Sequence, residues 1–321
     1  DSRLHEWLDA ELPRMADAPE GVRLAIAAPR GEAKSTFVSL FFVLWAVLTG
    51  RKHYILIIAD ALEQAASLLG AVKDELEFNE ALKRDFPGAG KGHVWNVGTV
   101  VTPGNVKIQA LGAGKRMRGL RHGPHRPDLI VLDDLENDGN VDKPEQRDKL
   151  QSWLQKTVLN LGAADGSMDV VYVGTLLHYD SVLARTLRKP LWKARTFRSI
   201  LRWPDRMDLW DEWESLLSSR GEAEARRFYR QHRAKMEAGA EVSWPASRPL
   251  YRLMCLRAED REAFDSEQQN DPLSANEAPF NGCITFWVDR SRDWLLFGAV
   301  DPSLGKQGAG RDPSAILVGG F

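Results

Sequence analysis

The chain has 321 residues, of which 43% are hydrophobic and 27% are charged, so it is long enough to bury a sizeable core. A formal net charge of −2 excludes a globally basic protein, and any contact with nucleic acid must come from local basic segments. The two cysteines exclude a disulfide framework and are typical of a reduced intracellular protein. The longest apolar run, residues 37–48, is too short to cross a bilayer, so we expect no membrane partner.

The first motif lies between an early strand and an early helix. "VRLAIAA", residues 22–28, has the length of a strand, and the apolar run after the motif predicts a buried helix. "APRGEAKST" between them is close to the phosphate-binding pattern of glycine, four residues, glycine, lysine and serine or threonine. Lys34 and Ser35 match this pattern, whereas Ala28 and Ala33 replace the two glycines. A strand–loop–helix unit presents backbone N–H groups to an anion, so this loop is predicted to bind a nucleotide. The predicted nucleotide-binding residues are Pro29, Arg30, Gly31, Glu32, Ala33, Lys34, Ser35 and Thr36.

A surface lysine in an ordinary first helical turn is the alternative, and a second motif weighs against it. In "LIVLDDLEND", residues 129–138, four apolar residues predict a buried central strand with carboxylates at its carboxyl end. Ligands bind at that end in open α/β sheets. Asp133 is predicted to hold Mg²⁺ together with Ser35, and Asp134 or Glu136 to orient the water that attacks the γ-phosphate. The two motifs together predict a phosphate-loop ATPase.

A third segment, "VVYVGTLLHYDSVL" at residues 170–183, predicts a strand that ends at Gly174 and Thr175. With the two motifs before it, this segment resembles the large subunit of the tailed-phage terminase, the motor that packages viral DNA. Members of that family often have a glycine-depleted phosphate loop with an arginine at the position of Arg30. The resemblance implies that Thr175 belongs to a coupling motif, which senses the state of the γ-phosphate.

One departure from the family concerns the carboxylate that activates water. Many relatives have Asp-Glu at the end of the second motif, whereas this chain has Asp133-Asp134 and then Glu136. Asp134 occupies the usual position with a side chain that is one methylene shorter, and Glu136 has the reach if the loop turns back. Both residues therefore remain candidates.

The resemblance also implies a function. It implies ATP-driven, Mg²⁺-dependent translocation of double-stranded DNA into a procapsid by a homo-oligomeric ring on the portal protein. A small terminase subunit would recruit the DNA, and the host cell cytoplasm would be the location. A helicase-like or repair DNA-dependent ATPase is the main alternative, and a DNA-binding or scaffold protein that ignores nucleotides is a third class.

Two basic segments contain no acidic residue. In residues 114–126, Arg118 or Arg121 is a candidate to complete a neighbouring subunit's site as an arginine finger, although a solvated loop is the alternative. Arg30 is the competing finger within the same chain. Residues 181–204 either contact DNA phosphates or keep an edge strand soluble.

These patterns predict an α/β chain with three parts. Residues 1–204 are predicted to form a phosphate-loop NTPase domain with a mainly parallel sheet, residues 205–290 a helical linker or lid, and residues 291–321 the start of a further domain. In the last part, two apolar runs at about 294–301 and 314–320 flank a glycine-rich stretch, which indicates a hairpin.

In the terminase family this hairpin resembles the opening of a ribonuclease-H-like nuclease, which implies that Asp301 is its first metal ligand. Asp312 precedes the second strand, and a plain surface hairpin is the alternative. A two-metal nuclease, using Mg²⁺ or Mn²⁺, needs several converging carboxylates, and the resemblance implies that the later ones lie beyond Phe321. We therefore expect this chain to hydrolyse ATP weakly, to bind DNA in a salt-sensitive way and to leave DNA uncut, even with Mn²⁺.

Overall fold

The computed structural model describes residues 2–115, 117–272, 296–301 and 315–320. The chain divides into two compact units, Asp1–Glu277 and Ala278–Phe321. The predicted NTPase segment and most of the predicted linker fall in the first unit, and the proposed boundaries after residues 204 and 290 stay predictions. In the part of the chain that is described, each helix is too short or too polar to span a lipid bilayer.

The first unit is built on an eight-stranded sheet with the order β3-β4-β5-β2-β6-β7-β1-β8. All neighbours from β5 to β8 in this order are parallel. At the other edge, β4 pairs antiparallel with both β3 and β5. The sheet therefore confirms the predicted mainly parallel α/β fold. Its strands are β1 Arg23–Ala27, β2 Tyr54–Ala59, β3 Val94–Trp95, β4 Thr99–Val101, β5 Lys107–Gly112, β6 Leu129–Asp133, β7 Asp169–Gly174 and β8 Lys193–Thr196.

Helices cover both faces of this sheet, which is why its central strands are continuous apolar runs. Successive side chains of β1 alternate between two hydrophobic clusters: Leu24 and Ile26 lie in one, and Ala25 and Ala27 in the other. The helices are α1 Arg3–Ala16, α2 Val43–Leu48, α3 Leu62–Phe78, α4 Glu80–Asp85, α5 Asp138–Val141, α6 Pro144–Lys156 and α7 Val182–Leu187, with a 3₁₀ turn at Val158–Asn160.

The helix after the predicted phosphate loop has two geometries. Its first part, Thr36–Phe42, is π-helical, and it continues as α2. The sequence predicted the helix but not the wider first turns. Such π-helical turns occur frequently at functional sites.

A helical segment follows the sheet and has a hydrophobic core of its own. This core contains Trp210, Trp213, Tyr229 and Met254. The elements are β9 Ile200–Arg202, α8 Met207–Arg220, α9 Glu222–Glu237, β10 Glu241–Val242, α10 Leu250–Glu259 and α11 Arg261–Glu267, with β9 and β10 antiparallel.

The second unit contains two antiparallel strands, β11 Leu296–Asp301 and β12 Ala315–Gly320. The two strands of the predicted hairpin are therefore present. Asp301 is the last residue of β11, paired with Ala315, and Asp312 lies outside the described residues. The metal-binding role of Asp301 stays a prediction.

The register of the central strands places three motifs at one edge of the sheet. Ala27 of β1 pairs with Gly174 of β7, and Asp133 of β6 pairs with Val173. All three strands are parallel, so the phosphate loop, the carboxylates after β6 and Thr175 after β7 lie together at the carboxyl edge. This is the edge at which open α/β sheets bind ligands.

Candidate functional site

The two alanines that replace glycines in the phosphate loop have different backbones. Ala33 has a φ of +55°, the left-handed conformation that glycine adopts without strain. Ala28 is fully buried, and its N–H donates to the Gly174 carbonyl at 2.9 Å, which extends the pairing of β1 with β7. At Ala33, where the usual pattern has its second glycine, the loop makes a strained turn. At Ala28, where the pattern has its first glycine, the backbone continues the pairing of β1.

Lys34 connects the loop to the ends of two neighbouring strands. Its Nζ lies 3.2 Å from Oδ2 of Asp134 and donates to Oγ1 of Thr175 at 3.2 Å. Thr175 in turn donates to the Ala28 carbonyl at 3.3 Å. Asp134 has a positive φ of 45°, and its side chain is 31% exposed. The ammonium group therefore lies between a carboxylate that solvent can reach and the hydroxyl of the predicted coupling motif.

Asp133 lies beside the loop and is fully buried. Its Oδ1 accepts a hydrogen bond from Ser35 Oγ at 2.9 Å, and its Oδ2 accepts one from the Ser39 hydroxyl. Burial, together with the charge of Asp134, raises the pKa of Asp133 to about 6. A buried carboxylate with a like-charged neighbour is stabilised by a cation, so the residues present suit Mg²⁺.

The described residues contain no group of three or more His, Cys, Asp or Glu side chains arranged to hold a metal. Mg²⁺ at a nucleotide site usually takes one or two protein ligands and completes its shell with water and phosphate oxygens. Ser35 and Asp133 match that requirement. Ser39 was missed by the sequence reasoning, although its spacing of four residues from Ser35 is a helical-face signal.

Glu136 lies in a different environment from Asp134. Its carboxylate accepts hydrogen bonds from the N–H groups of Val182 and Leu183, at 2.7 and 3.0 Å, and from the Tyr172 hydroxyl at 3.2 Å. Burial raises the pKa of Glu136. The Glu136 carboxylate is bonded to the first turn of α7. Of the two candidates, Asp134 is the one that contacts Lys34. The role of each stays a prediction, and the geometry favours Asp134.

Two other loop residues are tied to the helical segment. The Arg30 guanidinium pairs with Glu267 and is 66% exposed, and the Arg30 N–H donates to the Glu267 carbonyl at 2.9 Å. The Glu32 carboxylate is buried and accepts hydrogen bonds from Ser243 at 3.1 Å and Ser199 at 3.5 Å. Burial raises the pKa of Glu32 to about 6. Its side chain therefore attaches the loop to other elements, and its backbone N–H donates to the Pro29 carbonyl at 3.4 Å. The contact of Glu32 with the nucleotide stays a prediction.

Amide side chains after α11 also contact the site, and the sequence reasoning gave them no role. Asn270 accepts from the Leu176 N–H at 2.9 Å and donates to the Phe197 carbonyl at 2.8 Å. Gln268 donates to the Arg30 carbonyl at 3.4 Å. Three consecutive amide residues just after a helix are the signal that could have marked them.

The candidate trans fingers lie on a long exposed connection from the carboxyl end of β5 to the amino end of β6. Arg118 and Arg121 are both exposed. His122 contacts the Asn105 carbonyl at 2.9 Å, just before β5 begins. Arg121 therefore lies toward the amino edge of the sheet, the opposite edge from the phosphate loop. Either arginine's action on a neighbouring subunit stays a prediction.

The second basic segment includes β8, which forms the free edge of the sheet beside β1. All four residues of β8 are exposed. Lys193 pairs with Glu11, and the Arg195 guanidinium lies 5.9 Å from the centroid of the Phe197 ring. Both interpretations of this segment, a DNA-binding surface and a charged edge strand, are compatible with this exposure.

Together, the parallel sheet, the strand–loop–helix unit with Lys34 and Ser35, and Asp133 at the end of a neighbouring strand define a phosphate-loop NTPase fold. The chain is similar to two solved structures of the Thermus phage P74-26 large terminase ATPase domain. One aligns at 16% identity over 68% of this chain and 90% of that chain, with a TM-score of 0.37. The other, a point mutant, aligns at 13% identity over 81% and 92%, also with a TM-score of 0.37.

These two structures belong to the family that the sequence motifs resemble. No protein-family model matches the chain. No curated protein matches it either. The functional argument therefore rests on the geometry of the site.

Proposed function

We propose that this chain is the ATP-hydrolysing motor subunit of a viral terminase, which translocates double-stranded DNA into a procapsid. The observation that carries the ATPase part is the convergence of Lys34, Ser35, Asp133, Asp134 and Thr175 at the carboxyl edge of three adjacent strands. These residues come from three separate segments of the chain. Each has a role in the chemistry of phosphoryl transfer to water.

Lys34 and the backbone N–H groups of the loop would bind the β- and γ-phosphates. Ser35 and Asp133 would hold Mg²⁺, which when bound neutralises charge on the phosphate oxygens. When the phosphates draw the Lys34 ammonium away from Asp134, that carboxylate becomes free to orient the attacking water and accept its proton. Thr175 shares Lys34 with Asp134, so its hydrogen bonding would change with the γ-phosphate, as expected of a coupling residue.

The assembly and the nuclease are the finer parts of the proposal and rest on the family resemblance. The chain would work in the host cell cytoplasm as a homo-oligomeric ring on the portal protein, with a small terminase subunit delivering DNA. An arginine finger would come from Arg30 in cis, or from Arg118 or Arg121 in trans. A nuclease of the full-length protein would use Mg²⁺ or Mn²⁺ with Asp301 among its ligands.

The test of the ATPase is phosphate release by the purified chain in Mg²⁺ and ATP. Lys34→Ala should abolish turnover while far-ultraviolet circular dichroism stays unchanged. Lys83→Ala, which removes a partly exposed lysine on α4, is the matched control and should hydrolyse ATP like the unmodified chain. Equal turnover in all three proteins would exclude the site.

The DNA part needs a separate test. Turnover should rise with double-stranded DNA, and binding should weaken steeply as salt rises because basic side chains release phosphate counterions. Arg195→Ala should lower the slope of log affinity against log salt by about one if that arginine meets a phosphate. Stimulation by single-stranded DNA alone would favour the helicase-like alternative.

A further inference from the structure

An arginine of the helical segment lies directly against the phosphate loop. A Cβ atom built on Gly31 would lie 1.8 Å from Nη2 of Arg248, so the guanidinium occupies the space that any side chain at position 31 would need. Gly31 also has a φ of +79°, which glycine adopts freely. The loop therefore has both the conformation and the space for Arg248 to approach its backbone.

Gln268 holds one side of the Arg248 guanidinium beside the loop. Nη1 donates to Oε1 of Gln268 at 2.9 Å, and Gln268 in turn donates to the Arg30 carbonyl at 3.4 Å. A guanidinium has five N–H donors in a fixed planar arrangement. Gln268 thus fixes the group against the loop and uses only part of its hydrogen-bonding capacity.

Arg248 differs from the two cations of the phosphate loop, each of which pairs with a carboxylate. Arg30 pairs with Glu267, and Lys34 pairs with Asp134. In residues 2–115 and 117–272, by contrast, no ion pair joins Arg248 to a carboxylate.

The charge of Arg248 acts on the buried Glu32 carboxylate, although the two form no ion pair. The Glu32 carboxylate accepts its hydrogen bonds from Ser243 and Ser199. Burial raises the pKa of Glu32 to about 6 although the charge of Arg248 opposes that rise. Arg248 therefore brings a positive charge without a paired carboxylate to a loop whose backbone is arranged for anions.

We propose that Arg248 binds the phosphates of the nucleotide, a contact made from the helical segment to the ligand in the phosphate loop. The proposal rests on the proposed ATPase function. A guanidinium can donate two parallel hydrogen bonds to phosphate oxygens, and the free edge of this one lies beside Gly31. Arg248 precedes α10 by two residues, so the contact would make the position of that helix depend on whether the loop holds a nucleotide.

The experiment is a titration of the full chain with a fluorescent ATP analogue in Mg²⁺. Arg248→Gln should weaken affinity about tenfold or more, the loss expected for a hydrogen-bonded charge, and Arg248→Lys should recover part of it. Arg252→Gln is the matched control, because it removes one exposed positive charge from the next turn of the chain and should leave affinity unchanged.

Thermal unfolding separates phosphate binding from a merely structural role. Stabilisation by a bound ligand grows with the logarithm of ligand concentration over Kd. Arg248→Gln should therefore have the Tm of the unmodified chain without nucleotide and a smaller rise with ATP. A lowered Tm without nucleotide, combined with no recovery of affinity in Arg248→Lys, would show that the arginine only supports the loop.

The failure of this inference is distinguishable from the failure of the proposed function. If Arg248→Gln binds the analogue normally while Lys34→Ala does not, the loop is a nucleotide site and Arg248 has no part in it. If the unmodified chain itself fails to bind the analogue, the ATPase proposal fails and the role of Arg248 fails with it.

Discussion

The phosphate loop has two sides that are held in different ways. On the strand side, Lys34 and Ser35 contact Asp134 and Asp133 at the ends of the central sheet. On the helical side, Glu32 is bonded by serines and Gly31 lies against Arg248. The strand side brings together the groups that the proposed phosphoryl transfer needs, whereas the helical side fixes the loop to elements outside the sheet.

The difference shows how one short loop can serve chemistry and attachment together. On the strand side the Asp134 carboxylate is partly open to solvent, whereas Lys34 and Asp133 are buried. The carboxylate of Glu32 is buried instead. Substitutions on the strand side should therefore change turnover most, and those that remove buried attachments should change stability most.

Asp134→Asn should lower kcat about 10²- to 10⁴-fold, the contribution typical of a positioned general base. The amide keeps the size of the side chain but cannot accept a proton. Binding of ATP should be retained, because Lys34 and Ser35 are unchanged. Single-turnover phosphate release measures the first expectation and nucleotide titration the second. Normal turnover in this variant would show that another group activates the water.

Glu136→Gln should lower the free energy of unfolding by about 1–3 kcal/mol, because its carboxylate accepts two N–H groups at the first turn of α7 and an amide can satisfy only part of them. Urea denaturation measures this loss. ATP turnover below the unfolding transition should stay close to normal. If this variant loses turnover while Asp134→Asn keeps it, the assignment of the two carboxylates is reversed.

The strand side could be predicted from the sequence because its parts are generic. A lysine and a serine after one apolar run, and carboxylates after another, must meet when both strands are parallel and ligands bind at their carboxyl edge. The choice between Asp134 and Glu136 could not be made in this way. It depends on where the chain turns after β6, which the contact with α7 determines.

The helical side could not be predicted, because its residues are far apart in sequence and follow no short motif. Glu32 and Ser243 are separated by 211 positions, and nothing in either local segment indicates the other. Sequence reasoning placed Glu32 in the nucleotide site with its neighbours in the loop. Only the packing of the helical segment on the loop shows that its side chain serves as an attachment.

Glu32→Gln should change stability in a pH-dependent way. The pKa of Glu32 is raised from 4.5 to about 6, so the folded chain holds this proton more tightly than the unfolded chain does. The stability contributed by the protonated carboxyl is fully present below about pH 4.5 and is lost as pH rises through about 6. Gln does not titrate and still offers a carbonyl oxygen to a serine.

The variant should therefore match the unmodified chain near pH 4.5 and exceed it by up to about 2 kcal/mol at pH 7 to 8. Urea unfolding at several pH values measures the difference between the two proteins. Asp133, whose pKa is also raised to about 6, is present in both, so its contribution cancels. A difference that is independent of pH would mean that folding leaves the pKa of Glu32 unchanged.

The smallest change in the free energy of unfolding is expected at the two alanines of the loop. The two substitutions should change it in opposite directions. Ala33→Gly should raise the free energy of unfolding by up to about 1 kcal/mol, because relief of the left-handed strain, about 1–2 kcal/mol, exceeds the added backbone entropy of glycine, about 0.5–1 kcal/mol. Ala28→Gly should lower it by about 1–2 kcal/mol, since a buried methyl group is lost without any strain to relieve. Urea denaturation of the two variants side by side measures both changes. If both substitutions destabilise equally, the backbone at Ala33 is not strained, and its methyl group stabilises the fold as that of Ala28 does.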